Sequence, residues 1–261
     1  MAIGIFDSGV GGLTVLKEIK KELPNEKIYY FGDTLRVPYG EKSKDFIMEY
    51  SKKIVEFLIK KNVDIIVIAC NTITAVALEE LKKNYDLPII GVIKGGVKGA
   101  LNVTENNKIG IIATQATVNS KKYEQELLNE NKNIEIFLKA CPLLASAAEE
   151  GIVRGKFVEL MIKNYIDEIS KKVDTLVLGC THYPLFKDVI IENYKNLKIV
   201  DPAIETAKEV KSIIEKEKLI KNDRKLDERE EYFITSNVEQ FRAVGKIILG
   251  EKIEIPTLVE L

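Results

Sequence analysis

Two cysteines, Cys70 and Cys180, each close a short apolar, β-branched run that follows Val-Asp: Lys61-Asn-Val-Asp-Ile-Ile-Val-Ile-Ala-Cys70 and Lys171-Lys-Val-Asp-Thr-Leu-Val-Leu-Gly-Cys180. Such runs read as buried strands, and ligands of open α/β sheets bind just beyond the carboxyl ends of strands, so both thiols are placed for chemistry. Polar residues follow each one, Asn71-Thr72 in the first turn and Thr181-His182 in the second. Hydrogen-bonding side chains and helix N–H donors in such turns can hold a polar substrate and lower a thiol pKa. A free cysteine is most often inert packing, but two at equivalent positions argue against that. His182, the single histidine, lies two residues from Cys180 and is an acid/base candidate. Cys141, before Pro142 in an Ala/Leu-rich segment, lacks this context and reads as structural. One thiol on each of two like halves suits a nearly symmetric reaction, in which a proton leaves one face of a carbon and another arrives at the opposite face. That is racemase or epimerase chemistry. Deprotonating a carbon beside a carboxylate also needs preorganised donors for the developing charge, for which Ser8, Asn71, Thr72, Thr114, Thr117 and Thr181 are candidates.

The elements that must position these groups alternate between strand-like and helix-like stretches, the pattern of βαβ units around mainly parallel sheets. Strands are predicted near 2–6, 27–31, 64–69, 88–92, 108–113, 134–138, 174–179, 197–200 and 231–235, with amphipathic crossover helices at 43–61 and 154–172. Ile3-Gly-Ile-Phe-Asp7-Ser8 resembles Ile109-Gly-Ile-Ile-Ala113-Thr114, each a similar distance upstream of its own cysteine strand. The fold class expected is therefore α/β, with two pseudosymmetric domains and the active site in the cleft between them. Residues 1–93 plus 207–261 form the first domain and 94–206 the second. The glycine-rich Lys94-Gly-Gly-Val-Lys-Gly99 reads as a hinge, and the charge-rich stretch 215–231 as a solvated helix end and loop. A last strand, Tyr232–Ser236, and a helix over 238–249 return to the first domain.

At 261 residues and 46% apolar content the chain can bury a substantial core. Its 39 basic and 40 acidic residues nearly cancel, which leaves no electrostatic case for nucleic acid or a membrane surface as main partner. No apolar run reaches membrane-span length, and the start reads as a strand and not as a signal peptide. Three cysteines without a C-x-x-C pair fit a reducing compartment, so a cytoplasmic protein with no metal and a small-molecule substrate is expected. A homodimer is also expected. Asp7-Ser8-Gly9-Val-Gly11-Gly12, between a strand and a helix, can turn backbone N–H groups toward an anion. Thr14 stands where a dinucleotide fingerprint needs glycine, so a carboxylate ligand fits better.

Phe6-Asp-Ser-Gly-Val-Gly-Gly-Leu-Thr14, Tyr30-Phe-Gly-Asp-Thr34, Arg36-Val-Pro-Tyr-Gly40, Ala69-Cys-Asn-Thr72 and Leu178-Gly-Cys-Thr-His-Tyr-Pro184 together closely resemble the glutamate racemases of the cofactor-independent aspartate/glutamate racemase superfamily. The resemblance spans nearly the whole chain. It implies an isomerase that interconverts L- and D-glutamate without a cofactor and supplies D-glutamate for peptidoglycan, cell-wall biogenesis and cell shape. It implies Cys70 as the base facing the α-proton of D-glutamate, Cys180 as the base for L-glutamate, and Asp7 and His182 as their assistants. Substrate contacts are implied at Asp7, Ser8, Pro38, Tyr39, Gly40, Asn71, Thr72, Thr114, Thr181 and His182, with Asp33 and Glu149 as secondary acids. Taken alone, Asp33 could simply cap a turn and Glu149 could be one more exposed acid. The sequence departs from the family at Gly91-Val-Ile-Lys94-Gly95-Gly96 and at Pro142-Leu-Leu-Ala-Ser-Ala-Ala-Glu149. It begins on its first strand, so activation by a cell-wall precursor through an N-terminal extension is not expected. Aspartate racemase is the nearest alternative, since one methylene is a small discrimination; a non-catalytic amino-acid sensor is another, and a pyridoxal enzyme would leave the thiols redundant.

Overall fold

The computed structural model describes residues 1–217, 230–251 and 253–261. Its strands are β1 (Ala2–Asp7), β2 (Lys27–Gly32), β3 (Ile65–Ile68), β4 (Ile89–Gly91), β5 (Lys108–Ala113), β6 (Glu135–Ala140), β7 (Thr175–Gly179), β8 (Lys198–Val200), β9 (Glu230–Ile234) and β10 (Thr257–Leu258). The helices are α1 (Leu13–Glu22), α2 (Lys44–Lys60), α3 (Asn71–Asn84), α4 (Ile93–Val103), α5 (Gln115–Ser120), α6 (Lys122–Glu130), α7 (Pro142–Glu149), α8 (Lys156–Ser170), α9 (Lys187–Asn193), α10 (Pro202–Lys216) and α11 (Val238–Leu249). Apart from the two-residue β10, every strand lies where an apolar run predicts one.

Two sheets form, ordered β10-β9-β2-β1-β3-β4 and β6-β5-β7-β8, and every pairing in them is parallel. The four-strand order β2-β1-β3-β4 recurs as β6-β5-β7-β8, so the duplicated sequence is a duplicated topology. Helices cover both faces, which is why β3 reads Ile-Ile-Val-Ile without alternation and is buried throughout. Helix α2 buries Ile47, Ile54, Val55 and Leu58 along one stripe and is capped by Ser43, whose hydroxyl accepts from the Phe46 N–H at 3.2 Å. Helix α8 does the same with Val158, Met161, Ile162, Ile166 and Ile169.

The glycine-rich segment is not a hinge turn: Lys94–Gly99 lies inside α4. Its glycines serve close approach. A Cβ on Gly95 would lie 2.3 Å from Thr206 Oγ1 and 2.6 Å from the Pro202 carbonyl oxygen, so α4 and α10 meet with almost no side chain between them. Helix α10 spans the 206/207 boundary, and its Ala203, Ala207, Val210 and Ile214 share one apolar cluster with β1 and α1. After it, β9 pairs with β2, returning the chain to the first sheet. Of the charge-rich stretch 215–231, residues 218–229 lie outside the described residues.

Candidate active site

The carboxyl ends of β1, β3, β5 and β7 converge on one small cavity lined by Ser8, Val37, Pro38, Tyr39, Gly40, Cys70, Asn71, Thr72, Thr114, Ala145, Cys180, Thr181 and His182. Cys70 ends the β3 run and stands at the N-terminus of α3, where the nearby Ile73 N–H favours its thiolate. Cys180 ends β7, and the turn after it tightens into a 3₁₀ segment, Tyr183–Phe186, instead of an α-helix. Both thiols are unpaired and buried. The enclosed space is about 10 Å³, room for about one water molecule.

The surroundings of the two sulfurs differ. Cys70 Sγ donates to Ser8 Oγ at 3.7 Å, and burial pushes its thiol up to about 12, with the Asp7 charge adding to the rise. The lowered thiol pKa that the turn suggests is thus overturned at Cys70, because desolvation outweighs the Ile73 N–H and the Ser8 hydroxyl. Asp7 is fully buried; Oδ1 accepts from the Gly9 N–H at 2.9 Å and Oδ2 from Thr181 Oγ1 at 3.1 Å. Burial raises its carboxyl from 3.8 to about 6 against the pull of His182. His182 Nδ1 lies 3.5 Å from Cys180 Sγ and Nε2 lies 2.6 Å from Glu149 Oε1. Burial works against the imidazolium, but the Glu149 carboxylate overcomes it and holds the histidine well above its ordinary value.

Glu149 is therefore no solvated surface acid. It also accepts from the Val10 N–H at 3.2 Å, joining α7 to the β1–α1 turn, and its main-chain carbonyl accepts from Gln240 Nε2 at 2.6 Å. A Cβ on Gly9 would sit 2.2 Å from Glu149 Oε1, so a side chain there would displace that carboxylate. Asp33 is fully buried and accepts from Arg36, Tyr39 and Thr235. The hydroxyls of Thr72 and Thr114 meet at 2.8 Å; Thr117 stands behind them, 3.0 Å from Thr114 and 3.4 Å from Thr72, and does not line the cavity. Asn71 lines it and accepts from Tyr123 OH at 2.7 Å. Cys141 is buried, with its sulfur directed to the Lys139 carbonyl at 3.6 Å. Val37, Ala145, Tyr123 and Gln240 were not singled out by sequence reasoning. Val37 carries a signal only as part of Arg36-Val-Pro-Tyr-Gly40, and the other three carry none. Among the described residues, no three His, Cys, Asp or Glu side chains group so as to hold a metal ion. No helix among them is long and apolar enough to cross a membrane.

Residues 12–210 match the family model of Asp/Glu/hydantoin racemases. The chain is 44% identical over 262 residues to the glutamate racemase of Persephonella marina, covering 99% of this chain and 97% of that relative. Among solved structures, a Bacillus anthracis glutamate racemase superposes with a TM-score of 0.94 at 36% identity, covering 100% of this chain and 97% of that one. The Francisella tularensis glutamate racemase, solved with D-glutamate, gives 0.91 at 38% identity, covering 99% and 97%. An aspartate racemase of Picrophilus torridus, at 20% identity and a TM-score of 0.56, shares the fold alone. With a duplicated parallel topology, a thiol at each equivalent strand end and full-length relatives at this identity, the chain belongs to the Asp/Glu/hydantoin racemase family, and within it to the glutamate racemases.

Proposed function

We propose that the protein interconverts L- and D-glutamate by two-base proton transfer at the α-carbon, with Cys70 serving the D face and Cys180 the L face. The observation that carries this reading is the pair of unlinked thiols at equivalent strand ends, both lining one cavity. In either direction one sulfur, as thiolate, takes the α-proton and the other, as thiol, returns one to the opposite face. A buried thiol that gives up its proton reluctantly is, once ionised, a strong base, which suits a weakly acidic carbon. His182, whose protonated form is favoured by Glu149, is placed to exchange a proton with Cys180, and Asp7, coupled to Cys70 through its charge, is the acid assisting that thiol. Ser8, Asn71, Thr72, Thr114 and Thr181 supply hydroxyl and amide donors around the substrate carboxylates, together with the backbone of Pro38, Tyr39 and Gly40; Thr117 buttresses Thr114.

The two lobes of this reading are 1–93 plus 207–261 and 94–206, with α4 and α10 crossing between them. The D-glutamate is destined for peptidoglycan, and we place the protein in the cytoplasm as a homodimer. The test is to incubate each enantiomer of glutamate, and of aspartate, in deuterated water. Appearance of the opposite glutamate enantiomer carrying deuterium at the α-carbon supports the proposal. Binding without exchange would leave a sensor, and a preference for aspartate would move the substrate assignment.

A further inference from the structure

We propose that Thr235, which lies outside the cavity, is a positioning residue that sets the loop carrying Pro38, Tyr39 and Gly40 against the substrate. Because β9 lies beside β2, with Phe233 opposite Phe31 and Ile234 opposite Gly32, the chain leaving β9 runs along the chain leaving β2. Thr235 Oγ1 donates to Asp33 Oδ1 at 2.7 Å and accepts from the Leu35 N–H at 2.9 Å. One residue on, Thr34 Oγ1 donates to the Ser236 carbonyl at 2.6 Å and accepts from the Ser236 N–H at 2.9 Å, so two consecutive residue pairs are stitched together.

Asp33 passes this constraint to the site. Its Oδ2 accepts from Tyr39 OH at 2.5 Å, and its Oδ1 also accepts from Arg36 Nη1 at 2.6 Å, while that guanidinium lies 4.1 Å over the Tyr50 ring. A buried carboxylate is tolerated only when donors occupy it, so the donors together fix the angle of Asp33 and, through it, the tilt of the buried Tyr39 ring. The loop has no slack on its other side: a Cβ on Gly40 would lie 2.7 Å from Thr114 Cβ. A small rotation of Asp33 therefore moves a cavity wall, while Cys70, Cys180 and His182 keep their own partners. This inference rests on the glutamate-binding reading of the cavity.

The experiment measures glutamate racemisation from both enantiomers in the wild type, Thr235→Val, Thr235→Ser, Tyr39→Phe and the Thr235→Val/Tyr39→Phe double variant. Valine keeps the shape and removes the hydroxyl, so KM should rise roughly tenfold, the scale set by one hydrogen bond to a charged group. The kcat value should stay within about twofold of wild type, and its pH profile should not move, because the proton-transferring groups are untouched. Serine restores the hydroxyl and should restore KM. Tyr39→Phe breaks the same relay at its other end and should raise KM alike, with the double variant no worse than the poorer single one. An unchanged KM in Thr235→Val, or additive effects in the double variant, would overturn the inference. If Thr235→Val does not fold, Thr235→Ser and Tyr39→Phe decide it: serine must match the wild type in KM while phenylalanine must not. A wild type that does not racemise glutamate would sink the functional reading itself, whereas an active wild type with insensitive variants sinks only this inference.

Discussion

Asp7 is a carboxylate held where its charge is costly. The unfolded chain ionises it near 3.8, whereas the folded protein does so at about 6. Folding therefore carries no penalty below about pH 4 and the full penalty above about pH 6, and stability falls as pH rises through that window. At about 1.4 kcal/mol per pH unit the penalty is roughly 3 kcal/mol. Asp7→Asn should recover a stabilisation of that order in urea unfolding at pH 8 and almost none at pH 4, while racemisation drops at both. An equal gain at the two pH values would show that the benefit is not one of charge. The thiols allow a simpler statement. Cys70→Ala or Cys180→Ala leaves one face of the carbon without its acid or base and should lower racemisation by about a thousandfold or more, measured as loss of optical rotation from either enantiomer. Either variant turning over near the wild-type rate would end the two-base account. Position in sequence made these groups legible, because a strand end is marked by where an apolar run stops. Their ionisation was not legible: the helix N-terminus at Cys70 suggests a lowered thiol pKa, and only the packing around it shows that burial wins.

Among the elements, α4 shows how a local signal is overruled. Three glycines in six residues favour a turn, yet the segment is helical because its close contact with α10 needs small residues on that face. Gly95→Ala should therefore destabilise the fold by about 1–3 kcal/mol in urea unfolding, although alanine is the better helix former by up to about 1 kcal/mol. The reason is that one of the atoms in the way is the Pro202 carbonyl, which cannot swing aside as a side-chain tip can. A gain in stability would mean that the two helices part easily. Strands β1, β3, β5 and β7 were legible for the opposite reason: when both faces of a parallel sheet are covered, apolar residues follow one another without polar alternation, and all four show it. β10, two residues long with both exposed, has no such pattern to write. The contribution of Thr235 was equally hidden, since it depends on β9 joining the sheet beside β2, a pairing between segments about 200 residues apart in sequence.

At the scale of the whole molecule, the two sheets meet across a space of about 10 Å³, and direct hydrogen bonds bridge it from Thr72 to Thr114, from Asp7 to Thr181 and from Val10 to Glu149. An amino acid needs more room than this, so its entry is expected to part the two sheets and break these contacts. Amides in segments 37–40, 114–117 and 145–150 should thus exchange with solvent faster in the free protein than with saturating D-glutamate, as read by hydrogen exchange. Equal rates in the two states would separate opening from binding. The unlike partners of the two sulfurs, Ser8 beside Cys70 and His182 with Glu149 beside Cys180, have a consequence for equilibrium. Mirror-image substrates have equal free energies in water, so kcat/KM must be the same in both directions whatever the protein does. A site whose two sides are not mirror images meets that demand by letting kcat and KM differ between the enantiomers by one common factor. The enantiomer that is held more tightly is also turned over more slowly at saturation, so the initial rates from the two pure enantiomers differ at high concentration and coincide at low, while net flux always runs toward the racemate.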